Sequence, residues 1–164
     1  MYQFIENSDK FISLHDCRAT GMTVGDRVIS FTFADGIYIG KKHPRNTYGK
    51  TLRTDEARVD FNLPVGTPDE NVTCYVFFEK KNGRTVRKRF SVGKLMKKIN
   101  DKGKKLEFLY AYKGGDTVVY KCMLWKKKKP LGRECILEIR TDGTSYRWNE
   151  ICPDKTVQAL KKGS

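Results

Sequence analysis

The chain has 164 residues, 38% of them hydrophobic and 12% aromatic, and a formal net charge of +14. That length suits one domain (1–164) with a core of its own, the aromatic share argues against disorder, and no apolar run is long enough for a membrane-spanning helix, so no membrane partner is expected. The charge is polarised: residues 1–72 carry 9 Lys and Arg against 10 Asp and Glu, whereas residues 73–164 carry 24 against 9.

Met1–Asp26 lacks a basic start followed by an apolar run, so no signal peptide is expected and the cytoplasm is the expected compartment. Phe11–Thr20 is the first predicted strand. Gly25-Asp26 turns the chain into Arg27–Phe33, and Ala34-Asp35-Gly36 turns it again into Ile37–Ile39, the Asp-Gly pair supplying the positive φ of a short hairpin. Lys41–Asp55 reads as a polar loop. Ala57–Leu63 alternates, with Val59, Phe61 and Leu63 on one face and Arg58, Asp60 and Asn62 on the other, which predicts a half-buried antiparallel strand. Pro64–Asn71 reads as a loop, and the sequon Asn71-Val72-Thr73, in a chain expected to stay in the cytoplasm, as the start of the next strand.

The basic half opens with a hairpin: Val72–Glu79, a turn at Asn82-Gly83, and Thr85–Phe90. Ser91 is placed to cap a helix over Val92–Asn100. Val92, Leu95, Met96 and Ile99 form its apolar stripe, Lys94, Lys97 and Lys98 face away, and Gly103 suits its stop. Strands are predicted at Lys105–Tyr112, Thr117–Trp125, Arg133–Arg140 and Ser145–Trp148. The fold class expected is all-β, or β-rich α+β: an antiparallel β-sandwich or barrel of about nine to ten strands with one short amphipathic helix.

Three clusters carry the positive charge: the hairpin with Lys80, Lys81, Arg84, Arg87, Lys88 and Arg89; the helix and its tail with Lys94, Lys97, Lys98, Lys102, Lys104 and Lys105; and the loop Lys126, Lys127, Lys128, Lys129. If the helix returns the chain to the end it left, the last cluster sits at that end. If the helix spans the sheet, Lys126–Lys129 lands beside the Lys80–Arg84 tip. Such clusters neutralise phosphates, and the dominance of lysine over arginine favours point-charge contacts over base readout. The expected partner is therefore nucleic acid, bound without sequence specificity, with an acidic protein as the alternative, engaged by an inhibitor or immunity-like module. Size and compactness fit a bacterial or phage-type protein.

Aromatic rows are interleaved with the charge. Tyr75 and Phe77 share a face of Val72–Glu79, and strict alternation puts Leu106, Phe108, Tyr110 and Tyr112 on one face of Lys105–Tyr112. A row in the core is the ordinary reading. A row on an open face would stack bases, and a row lining a cavity would suit a barrel-shaped carrier.

Enzyme chemistry is the minority expectation, and no catalytic, cofactor or metal site is assigned. His15 and Cys17 on one strand would share a face but stand too far apart for a thiolate–imidazole pair. Asp55 and Glu56 point apart in an extended chain. The cysteines Cys17, Cys74, Cys122, Cys135 and Cys152 are odd in number and widely spaced, which reads as reduced, buried thiols rather than a disulfide framework or zinc site.

Overall fold

In the computed structural model, which describes residues 1–155, strands dominate. They run in chain order β1 (Phe4–Glu6), β2 (Ile12–Ser13), β3 (Cys17–Ala19), β4 (Gly21–Val24), β5 (Val28–Phe33), β6 (Tyr38–Ile39), β7 (Leu52–Thr54) and β8 (Ala57–Asn62). After the short helix α1 (Pro68–Asn71) come β9 (Val72–Glu79), β10 (Thr85–Phe90), the helix α2 (Val92–Asn100), β11 (Lys105–Gly114), β12 (Thr117–Trp125), β13 (Gly132–Arg140), β14 (Gly143–Trp148) and β15 (Ile151–Cys152). The excess over nine or ten strands is made of pieces two to four residues long, too short to show a period in sequence.

The strands form three antiparallel sheets, ordered β1-β14-β8-β5-β4, β10-β9-β13-β12-β11-β3 and β15-β7-β6-β2. The first two face each other as a sandwich. Among the described residues no barrel closes, because closure requires the edge strands of a sheet to pair, and there β10 and β3 are each paired on one side only. Between the sheets the rings pack closely: Phe31 on Phe108, and Phe61 and Phe108 on Tyr120, meet edge to face, and Phe33 on Phe108 is tilted, with centroids 5.0–6.0 Å apart.

Several strands are where alternation put them. In β8, Val59 and Phe61 are fully buried, as the pattern demands. Asp60 on its other face is also buried. Ser30 donates to it at 2.5 Å and Arg58 at 2.7 Å, and the Arg147 Nε is an ion-pair neighbour at 2.9 Å. A buried carboxylate persists only with such partners. Helix α2 has the predicted bounds. The Ser91 hydroxyl accepts the Lys94 N–H at 3.1 Å, and Val92, Leu95 and Ile99 are buried. Asn100 at its end donates to the Met22 carbonyl and accepts the Met22 N–H, so a side chain covers the free edge of β4.

Other expectations fail for local reasons. Phe11–Thr20 is not one strand: the chain breaks at Asp16 (φ 61°) between β2 and β3, and then passes from the six-stranded to the five-stranded sheet at Thr20. The Asp35-Gly36 turn does not make a hairpin with β5. Gly36 (φ 81°) sends the chain out to the small sheet, where β6 pairs with β7 and β2. The loop Lys41–Asp55 contains β7. His43 and Asn46 organise the rest of it: the His43 Nδ1 accepts the Arg45 N–H, which leaves the ring proton on Nε2 facing Glu6 at 2.8 Å, and Asn46 donates to the carbonyls of Ile39, Gly40 and Lys50. Within Pro64–Asn71, Thr67 and Glu70 form a reciprocal capping box that starts α1.

Candidate polyanion-binding surface

Strand pairing and the span of α2 bring the basic segments together. β9 runs outward to the Lys80–Arg84 tip, where the Asn82-Gly83 turn closes with the Lys80 N–H donating to the Arg84 carbonyl at 2.7 Å. β13 is antiparallel to β9, with Cys135 opposite Val76, so it begins near that tip. Trp125 at the end of β12 pairs with Gly132, and Lys105 at the start of β11 pairs with Trp125. The hairpin tip, the Lys126–Lys129 turn and the Lys102–Lys105 approach therefore share one end of the six-stranded sheet. Helix α2 spans the sheet: it starts beyond Phe90, which pairs with Cys74 far from the tip, and delivers Lys97 and Lys98 to the basic end. From β10 to β11 this end is about 19 Å wide, four strand spacings of about 4.8 Å.

Lys80, Lys81, Arg84, Lys97, Lys127, Lys128 and Lys129 are exposed there, and Lys98 and Lys126 are half-buried. The side chains crowd. Partial burial pushes the Lys104 pKa down, and Lys98, Lys126 and Arg133 push it further. Lys126 is lowered by the same causes, desolvation first and then Arg133 and Lys98. Arg133, absent from the residues singled out by sequence, completes this group. Its guanidinium lies 4.2 Å over the Phe78 ring, and counting strand pairs back from the Asn-Gly hairpin is the sequence signal that would have found it.

Three of the predicted residues lie elsewhere. Lys94 is in the first turn of α2, stacked 4.2 Å over Phe90. Arg89 is on the outer face of the sheet, donating to the Asp69 carbonyl at 2.8 Å. Arg87 is on that face too, 4.2 Å over Tyr75.

The aromatic rows divide. Leu106 and Phe108 are buried, but an irregularity between Phe108 and Tyr110 shifts the register, so Tyr110 pairs with Lys121 and turns to the outer face with Tyr112. Tyr75 and Phe77 are half-buried on the same face. At its β10 edge α1 reaches this face, through the Arg89 hydrogen bond to the Asp69 carbonyl.

The suggestive chemical groupings do not assemble. His15 is exposed, 3.1 Å from the Asp16 carboxylate, while Cys17 is fully buried, so the two do not share a face; the turn at Asp16 separates them. Asp55 accepts the Asn149 and Glu150 N–H groups, a structural role. Four of the five free cysteines are buried, and Cys152 is half-buried. Among the described residues no group of three or more His, Cys, Asp or Glu is arranged to hold a metal. A cleft of about 220 Å³ lies at the opposite end of the sheet, lined by His15, Phe108, Tyr110, Lys113, Tyr120 and Tyr146 among others. Its charged pair, Lys113 and Asp9, is mutually satisfied. No protein-family model, no curated protein and no solved structure matches the chain.

Proposed function

We propose that this protein is a non-enzymatic binding module whose basic end takes a polyanion, nucleic acid foremost, by phosphate contacts that do not read sequence. The observation that supports this is the convergence of three basic segments, distant in sequence, on one end of the six-stranded sheet. A width of about 19 Å matches about five or six phosphates along one strand of a duplex. Lysine supplies most of the charge, which suits backbone neutralisation rather than bidentate base recognition.

The test is binding to labelled single-stranded and duplex DNA and RNA across a salt series. About six phosphate contacts predict roughly a thousand-fold loss of affinity between about 50 and 200 mM salt. A variant with Lys126–Lys129 changed to Ser and Lys80, Lys81 and Arg84 to Gln should bind weakly and show a flatter slope. Affinity that is insensitive to salt, or unchanged in the variant, overturns the proposal. Stoichiometric capture of an acidic protein with no nucleic-acid binding would replace it with the protein-partner alternative.

A further inference from the structure

We infer that the ligand is single-stranded, and that the open outer face of the six-stranded sheet stacks its bases while the basic end holds its phosphates. This rests on the polyanion proposal and adds the form of the nucleic acid to it.

Two features of the face support the inference. The first is the register shift at Leu109. Without it, Tyr110 and Tyr112 would follow Phe108 toward the interior; with it, they stand on the outer face with 53% and 62% of their surface exposed. Neither ring belongs to the sandwich core; the Tyr110 ring meets His15 edge to face, with centroids 5.2 Å apart.

The second is the cross-strand row Arg89, Tyr75, Ile136, Lys121, Tyr110, in which each residue pairs directly with the next. It holds two rings and two cations and no carboxylate. The neighbouring row toward the basic end adds Phe77 and Arg87. One of its two acids, Glu107, is already engaged, accepting from the Trp125 indole at 2.6 Å and lying 3.6 Å from Arg18. Rings interspersed with cations on an open sheet face suit splayed bases and their backbone. A duplex keeps its bases stacked inside, so exposed rings give it nothing, and the broad face of a six-stranded sheet does not enter a groove. Tyr75 and Tyr110 are three strand spacings apart, about 14 Å, which leaves room for more than one base between them.

The experiment compares an oligothymidine, an abasic strand of the same length and a duplex of equal charge at one salt concentration. The wild-type protein should bind the oligothymidine at least about five-fold more tightly than the abasic strand. The Tyr75→Ala and Tyr110→Ala variants should each lose about five-fold or more on the oligothymidine and nothing on the other two probes, and Tyr75→Phe and Tyr110→Phe should restore binding. Equal affinity of the wild type for oligothymidine and abasic strand, or a preference for duplex, overturns the inference even if a variant misfolds, and leaves the polyanion proposal standing. So does an equal loss on all three probes in the alanine variants. Binding to none of the probes overturns both.

Discussion

Changing Lys104 to Gln should make the folded protein more stable and, in the same step, a poorer polyanion binder. Lys104 is half-buried at the basic end, with Lys98, Lys126 and Arg133 as neighbouring like charges. Two like charges about 4 Å apart repel by about 1 kcal/mol in a water-like dielectric. The Debye length of about 8 Å at physiological salt leaves so close a pair only partly screened. Glutamine keeps most of the aliphatic stem and removes the charge. Solvent exposure holds the net gain to about 1 kcal/mol at most, which raises the melting temperature by about 2–4 °C in a chain of this size. The assay is thermal unfolding of wild type and K104Q at low salt and at about 1 M, where a Debye length of about 3 Å should erase the difference. In binding, the same substitution should flatten the salt slope by about one unit. A K104Q protein that melts at or below the wild type at low salt, or keeps its advantage undiminished at high salt, would show that these cations are not crowded as described.

Alkaline pH should destabilise the fold through its buried thiols. Burial pushes Cys17 and Cys74 from their ordinary 9.0 up to about 12, so between those values the unfolded chain loses the thiol proton and the folded one keeps it. Stability from this source is complete below about pH 9 and falls as pH rises, by about 1.4 kcal/mol per thiol at pH 10; urea midpoints at pH 7 and pH 10 should show the fall, and Cys74→Ala should shrink it. Gly36→Ala should cost about 3 kcal/mol, because φ is 81° and the new Cβ would stand 2.6 Å from the Asp55 carbonyl oxygen and closer still to that of Thr54. Gly83→Ala, at the same φ but with nothing within 4 Å, should cost only about 1–2 kcal/mol, and equal unfolding midpoints for the two variants would contradict the packing described at Gly36.

What sequence reveals here is whatever is encoded locally. The Asn82-Gly83 hairpin, the 57–63 alternation and the capped α2 stripe each depend on residues within a few positions of one another, and each stands where expected. One miss is local, since the Thr67–Glu70 capping box that starts α1 lies within four residues; the register of β11 needs information from a distant partner. Nothing in Leu-Glu-Phe-Leu-Tyr-Ala-Tyr marks Leu109 as the point where the register shifts; that is decided by how β11 meets β12. The predicted strand Phe11–Thr20 looks continuous because the residues on both sides of Asp16 are apolar enough to be strand. The basic clusters were visible as charge runs, but their convergence depended on whether α2 spans the sheet, which amphipathicity does not encode.

That convergence separates binding from the ordinary uses of surface lysine. Solubility requires net charge, and a spread of +14 over the whole surface would meet it with less self-repulsion. Protection of an edge accounts for Arg87, Lys88 and Arg89 on β10, an edge strand among the described residues that cations keep from pairing with another chain. It does not account for Lys126–Lys129, which sit in a turn between two interior strands, or for Lys102, Lys104 and Lys105 on the approach to β11. Those segments gain nothing in isolation from standing beside one another; burial first, and then the neighbouring cations, lower the Lys104 and Lys126 pKa values, and the second cause is the repulsion of doing so. A bound polyanion removes that repulsion, so the same contacts that hold the ligand should stabilise the fold. Melting temperature should therefore rise on adding a nucleic acid, and by less in K104Q, where the repulsion is already relieved.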